Sequence, residues 1–363
     1  MIEARDNVRQ MAAYALADLA VPAGRRLISL AQNESPFPPS RQVTEALCHI
    51  ADDLAAYPDP DWQMLRAAIA DVHGIPAEEI LCGNGSMELI AALILAYVGP
   101  GDEVLSTAFG YGYFETVTQL AGGNFIRVAE PDFTVDVGRL LHAVGPATRL
   151  VCVANPGNPT GTRIDIASLR RLRDALPAHV LLLIDEAYGE FADPIEPGAV
   201  FVPFGPHTVI TRTLSKAYCL AGLRVGWARV PAEIRHEMRK VLAPNNISVA
   251  GQRAAVAAVH DQAHMRNCVT EVARIKENFV SEIKSVWCRS IPSHANFQLL
   301  AFRSEATARA MDQGLRNQGI VGRRFATPGL ENCIRMTIGS ASVMQEVAGC
   351  LKTQLEEYDH GNE

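Results

Sequence analysis

Four short apolar runs in this chain each end abruptly in a cluster of polar, glycine or proline residues, and that repeated junction restricts the fold more than any other feature. The runs at 80–82, 150–154, 180–184 and 208–211 lead into Gly83-Asn84-Gly85-Ser86, Asn155-Pro156-Gly157-Asn158-Pro159, Asp185-Glu186-Ala187-Tyr188 and Arg212-Thr213-Leu214-Ser215-Lys216. Further runs lie at 103–106 and 225–228. Being apolar throughout rather than alternating, they predict strands of a sheet covered on both faces. Helical patterns at 62–72, 87–97, 113–121 and 166–175 fall between them. The expectation is therefore α/β, with polar groups gathered at the carboxyl ends of strands, where open α/β sheets bind ligands.

From about Gln252 the chain offers long helical stretches, then strands at 296–301 and 334–338. No Gly/Ser-rich linker precedes them, so a second lobe is expected to pack on the first. The first forty residues carry few strand signals and end in Pro36, Pro38 and Pro39, as an arm would. The expected division is an arm over 1–40 joining the small lobe, a large domain over 41–250 and a small domain over 251–363.

Thirty-three basic against 40 acidic residues give a net charge of -7, which offers no bulk attraction to nucleic acid or an anionic membrane. The longest apolar run, 89–98, stops at Gly99-Pro100, short of the roughly 20 residues a membrane span needs. Glu3, Arg5, Asp6 and Arg9 interrupt the start, so no secretory signal is expected. The eight cysteines never form a CxxC pair. A reducing cytoplasm, without disulfides and without a metal site, is the expectation.

The junctions suggest chemistry. Two glycines between strand and helix let backbone amides face an anion at the helix N-terminus. A tight turn capped by Ser86 is the plainer alternative, and a dinucleotide fingerprint would want glycine where Glu88 stands. The two Asn-Pro steps fix the loop and leave Asn158 offering an amide at the sheet edge. An apolar strand running into Asp185 must give the carboxylate a partner: a salt bridge, a metal or a protonated ring nitrogen. Thr213, Ser215 and Arg224 suit a phosphate, with Lys216 beside them placed either to bond a carbonyl or to be a surface lysine. One molecule, pyridoxal phosphate, meets all of these demands together.

With these residues in view, the chain resembles the fold-type I pyridoxal-phosphate aminotransferases, and among them the histidinol-phosphate aminotransferase group. The likeness runs from about Tyr14 to Ser340 through LAQNESPFPPS (30–40), AYPDPDWQMLR (56–66), GNGSMELI (83–90), PGDEVL (100–105), ANPGNPTGT (154–162), LLIDEAYGEF (182–191), TRTLSKAYCLAGLRVGW (211–227), SHANF (293–297) and CIRMTIGS (333–340). It implies a large domain with a mixed, mostly parallel sheet and a smaller α/β C-terminal lobe.

By that resemblance, Lys216 would carry the cofactor covalently and then move a proton as base and acid, its pKa lowered by the Arg224 charge. Asp185 would pair with the protonated pyridine nitrogen. Asn158 and Tyr188 would hydrogen-bond the ring oxygen, and Tyr111 would stack on the ring. Gly85, Ser86, Met87, Thr213, Ser215 and Arg224 would hold the cofactor phosphate. Tyr57 would reach it from a neighbouring subunit, giving a homodimer with shared active sites. Arg335 would bind a substrate carboxylate with Asn33 near the entrance, while Tyr14 and Arg323 would take a distal phosphate.

The resemblance implies a ping-pong aminotransferase acting between a small amine or amino-acid donor and 2-oxoglutarate. A decarboxylase or other lyase of a phospho-amino acid, and an aromatic amino-acid transaminase, are the alternatives among enzymes. A non-catalytic nucleotide-binding module would have no use for Lys216. Four departures from the group's pattern bear on the substrate: Phe109-Gly110 with Tyr113 soon after, Asn245, Met87 and Pro38.

Overall fold

The computed structural model describes residues 2–285 and 288–361. Strand β1 (Ile28–Ser29) pairs in parallel with Ile320–Val321 near the other end of the chain. Strands β2 (Ile80–Gly83), β3 (Glu103–Thr107), β4 (Asn124–Val128), β5 (Thr148–Ala154), β6 (Leu181–Asp185), β7 (Thr208–Thr213) and β8 (Gly226–Arg229) form a seven-stranded sheet. Its order is β2-β8-β7-β6-β5-β3-β4. Neighbours from β4 across to β7 are parallel, and β8 runs against both β7 and β2.

The C-terminal region holds β9 (Cys288–Ile291), β10 (Phe297–Phe302), β11 (Ile320–Val321, the partner of β1), β12 (Arg323–Arg324) and β13 (Cys333–Thr337). An antiparallel sheet in the order β12-β13-β10-β9 results. The apolar runs fall on their strands to within about two residues. Strand β4 had no such signal, because Asn124 and Arg127 are exposed at the sheet's edge and break its apolar character.

Helices cover the large sheet for local reasons. Residues Gln63–His73 stop at Gly74, whose φ of 64° few other residues adopt. Residues Ile166–Ala175 start from Asp165, whose carboxylate accepts from the Ser168 N–H at 2.6 Å. The helix Ser86–Tyr97 is apolar on nearly every face, and its inner face is enclosed while Leu95 stays exposed. Leu89, Ile90, Leu93 and Ile94 are fully buried there, each contributing about 1.5–3 kcal/mol by leaving water. Among the described residues no helix is long and apolar enough to cross a membrane.

Arg212, fully buried on β7, pairs with Glu186 at 3.0 Å, Glu190 at 3.4 Å and Asp193 at 2.9 Å. It fastens the segment after β6 against β7. The N-terminal segment touches both halves. Asn7 Nδ2 donates to the Gln119 and Leu120 carbonyls at 3.1 and 2.9 Å, satisfying acceptors at the end of the helix Tyr113–Ala121, before the chain crosses to pair through β1 with β11.

Candidate active site

Strands β5, β6 and β7 run the same way and register Ala154 beside Asp185 and Asp185 beside Thr211. Whatever follows them emerges at one edge, and a cavity of about 820 Å³ opens there. Asp185 closes β6 at 4 % exposure. Thr211 Oγ1 donates to it at 2.8 Å, and with no charge in that contact burial pushes the carboxyl up to about 6.

Lys216 enters from the loop after β7. Its Nζ donates to the carbonyls of Asn33 at 2.9 Å and Gln32 at 3.2 Å. Burial first, then the Arg335 and Arg224 charges, lower its pKa to about 7. Arg224, the cause foreseen in the sequence, is the smallest of the three. On the adjoining loop Asn155 spends its side chain on Ile164, donating to its carbonyl at 3.0 Å and accepting from its N–H at 2.9 Å. Asn158 is thereby left to face the cavity, where its Oδ1 accepts from Arg335 Nη1.

Asn33, expected at the entrance, is instead 1 % exposed at the inner wall. Its Nδ2 donates to the Tyr188 hydroxyl at 2.7 Å, and its N–H donates to Thr337 Oγ1 at 2.9 Å. Burial pushes the Tyr188 phenol up to about 12. Tyr111 also lines the cavity. The neighbouring Gly110 accounts for one departure from the group's pattern, since a Cβ there would stand 2.7 Å from Ser106 Oγ and 3.0 Å from the Thr107 carbonyl.

At another side of the cavity lie the residues suited to an anion. Gly85 has φ 82°, and a Cβ there would come within 2.7 Å of Arg224 Nη2. Gly85 occupies the capping position, so Ser86 is the first helical residue rather than the cap. Unpaired N–H groups of that helix therefore face the same space as Thr213, Ser215 and Arg224. Thr213 Oγ1 donates to Ser215 Oγ at 3.0 Å, and Arg224 Nη1 donates to the same oxygen at 3.2 Å. Met87 lines the cavity beside them. A phosphate fits this cradle, and a ring bearing a carbonyl and a basic nitrogen fits between Lys216 and the uncompensated Asp185.

Arg335 and Arg323 are directly paired residues of β13 and β12. Arg335 is 7 % exposed, donates through Nη2 to the Ala31 carbonyl at 2.6 Å, and has a buried Nε without a partner among the described residues. Phe297 and Phe325 lie against its guanidinium at 5.3 and 5.9 Å. Arg323 Nη2 donates to the Ala15 carbonyl at 2.7 Å, next to Tyr14, which meets Tyr113 edge-on at 6.1 Å. Arg324 turns to the Glu331 carbonyl instead. Tyr57 does not reach this cavity within the single chain and is 88 % exposed. The carbonyls of Ala31 and Gln32, and the Thr211 hydroxyl, are site groups that lie inside the motifs at 30–40 and 211–227 but to which the sequence pattern assigns no role.

The family model for aminotransferase class I and II matches residues 25–351. The histidinol-phosphate aminotransferase of Paracoccus denitrificans is 39 % identical over 322 residues, covering 89 % of this chain and 88 % of the relative. That of Roseobacter denitrificans is 37 % identical over 350 residues, covering 96 % and 98 %. A crystal structure of histidinol-phosphate aminotransferase from Sinorhizobium meliloti in complex with pyridoxal-5'-phosphate superposes with a TM-score of 0.86, at 29 % identity and 91 % coverage of each chain.

Proposed function

As a member of the class I and II aminotransferases, in the histidinol-phosphate aminotransferase group, the chain is a pyridoxal-phosphate-dependent aminotransferase, and we propose that histidinol phosphate is its donor and 2-oxoglutarate its acceptor. In the overall exchange the donor's C–NH₂ becomes C=O and the acceptor's C=O becomes C–NH₂. The observation that carries the donor assignment is the pairing of Arg323 with Arg335 across β12 and β13, with Tyr14 beside them. Two guanidiniums at one end of the cavity suit a phosphate or a carboxylate in turn, as two alternating substrates require.

Bound pyridoxal phosphate supplies a conjugated electron sink for the bonds at the substrate's Cα. Thr213, Ser215, Arg224 and the amides at Gly85 and Ser86 would hold its phosphate beside Met87, and Asp185 would keep its ring nitrogen protonated. Asn158 and Tyr188 would hydrogen-bond its ring oxygen, and Tyr111 would lie against the ring. Lys216 would anchor it, and its Nζ would be placed to take a proton from the substrate's Cα and return it. A pKa near 7 leaves that amine able both to accept and to return a proton at neutral pH. Thr211 orients Asp185, and the Asn33 amide orients the Tyr188 hydroxyl.

The exposed Tyr57 supports a homodimer in which each chain completes its neighbour's phosphate site. Buried thiols at Cys82, Cys152 and Cys333, used as small hydrophobes, support a cytoplasmic enzyme. The contact of Tyr14 with Tyr113 favours a second reading, an aromatic amino-acid donor.

A half-reaction tests the proposal. Histidinol phosphate alone should discharge the yellow colour of the loaded enzyme, and 2-oxoglutarate should restore it. No colour change without acceptor, or release of carbon dioxide from a phospho-amino acid instead, overturns it.

A further inference from the structure

Two thiols and an imidazole meet where three segments cross, outside the wall of the cavity. Cys219 ends the turn that follows Lys216, its N–H donating to the Lys216 carbonyl at 3.2 Å, and it sits in left-handed backbone at φ 60°. His264 and Cys268 lie one turn apart on the same face of the helix Gln262–Glu282. The third segment is the arm: Ser35 Oγ is 3.0 Å from Cys219 Sγ, and the Pro38 carbonyl is 3.1 Å from His264 Nε2.

The spacing is that of a ligand set. Cys219 Sγ and Cys268 Sγ are 3.8 Å apart, Cys268 Sγ and His264 Nε2 are 3.4 Å apart, and all three atoms lie within 4.8 Å of one another. A tetrahedral zinc ion, with sulfur at about 2.3 Å and nitrogen at about 2.0 Å, requires edges of about 3.8 Å between sulfurs and about 3.5 Å between sulfur and nitrogen. A disulfide would need the sulfurs to close to about 2.05 Å and would give the imidazole no part.

We propose that Cys219, His264 and Cys268 bind a thiophilic divalent cation such as zinc, at a site separate from the cofactor pocket. The cation takes two thiolate sulfurs and Nε2, the two thiol protons pass to water, and no oxidation state changes. Water, Ser35 Oγ or the Pro38 carbonyl completes the fourth position. Hard ions such as magnesium are excluded by the sulfur ligands. Filling the site ties the turn after Lys216 to the helix Gln262–Glu282, and with Ser35 or Pro38 in the fourth position also to the arm whose Gln32 and Asn33 carbonyls accept from Nζ, so it stiffens the mounting of that lysine from behind.

The experiment is a cobalt titration of the reduced, cofactor-loaded protein, followed by displacement with zinc. One equivalent of Co²⁺ per chain should produce the visible bands of tetrahedral cobalt with a thiolate charge-transfer band, and zinc should abolish both. Cys268→Ser and His264→Ala should each weaken binding at least tenfold. His264→Ala should keep the parent's circular dichroism and its activity in metal-free buffer, which separates lost binding from misfolding should Cys268→Ser fail to fold. Octahedral cobalt alone, or a tetrahedral spectrum that survives both substitutions, overturns the assignment. So does a reduced protein that takes up no cation yet forms a Cys219–Cys268 disulfide under mild oxidant.

Discussion

Lys216 Nζ donates to the Asn33 carbonyl at 2.9 Å, so the amine that faces the cavity is seated by a segment 183 residues earlier in the chain. Burial and the two nearby guanidiniums, of Arg335 and Arg224, hold its pKa at about 7. The reactive, proton-free amine therefore dominates above that pH. In the cofactor-free enzyme, capture of pyridoxal phosphate should quicken about tenfold per pH unit up to about 7 and then level, whereas an ordinary lysine would keep gaining to about 10.4. Stopped-flow capture rates against pH decide between the two; a rise that continues past pH 9 contradicts a lysine lowered by burial and its neighbouring guanidiniums.

Asp185 carries two opposite expectations. In the cofactor-free fold its carboxyl titrates near 6, above its ordinary value of about 3.9, so the folded chain keeps a proton that the unfolded chain has released. Rising pH then costs stability between about 4 and 6. Asp185→Asn should make the cofactor-free protein more stable at pH 7, by on the order of 2 kcal/mol in urea unfolding. In the loaded enzyme the same change should slow turnover by about 2.7–4 kcal/mol of barrier, because a neutral amide cannot keep the ring nitrogen protonated. Unchanged turnover would remove Asp185 from the ring.

Arg212 is a structural counterpart. Arg212→Met leaves Glu186 and Glu190 buried without their cation, and should cost about 3–5 kcal/mol in chemical unfolding. Burial already pushes the Glu190 carboxyl up to about 7, so the loss should be smaller at pH 5 than at pH 8, where that carboxyl must be charged. Equal losses at both would show that the network is not electrostatic.

Much of this architecture was legible because β5, β6 and β7 are buried on both faces and so read as unbroken apolar runs. Strand β12 is two arginines and β4 an exposed edge, and neither has a pattern to read. The loop residues Asn158 and Lys216 announced themselves by standing where apolar strands stop. Thr211 did not, since its role depends on the β6–β7 register. Backbone carbonyls such as those of Ala31 and Gln32 carry no sequence signal at all. The depth of Asn33 comes from its packing between Tyr188 and Thr337, which lie 155 and 304 residues away. Cys219 and Cys268 meet across 49 residues, a spacing that a search for CxxC pairs cannot reveal.

Tyr57 gives a test of shared sites. Lys216→Ala chains should be inactive and Tyr57→Phe chains impaired through weaker cofactor binding. Mixed after denaturation and refolded together, they should form heterodimers with one site in which both residues are intact. Activity should recover above either parent. Tyr57→Phe impaired with no recovery on mixing would place Tyr57 in its own chain's site.

On the proposed function, the paired guanidiniums of Arg323 and Arg335 select a phosphorylated amine. The most direct measurement is kcat/KM with 2-oxoglutarate for histidinol phosphate, histidinol and phenylalanine, in the parent and in Arg323→Ala. A charge-assisted contact of about 1.5–3 kcal/mol predicts a preference for histidinol phosphate over histidinol that falls roughly 10–100-fold in the variant. A preference for phenylalanine that Arg323→Ala leaves untouched would contradict the account and select the aromatic transaminase.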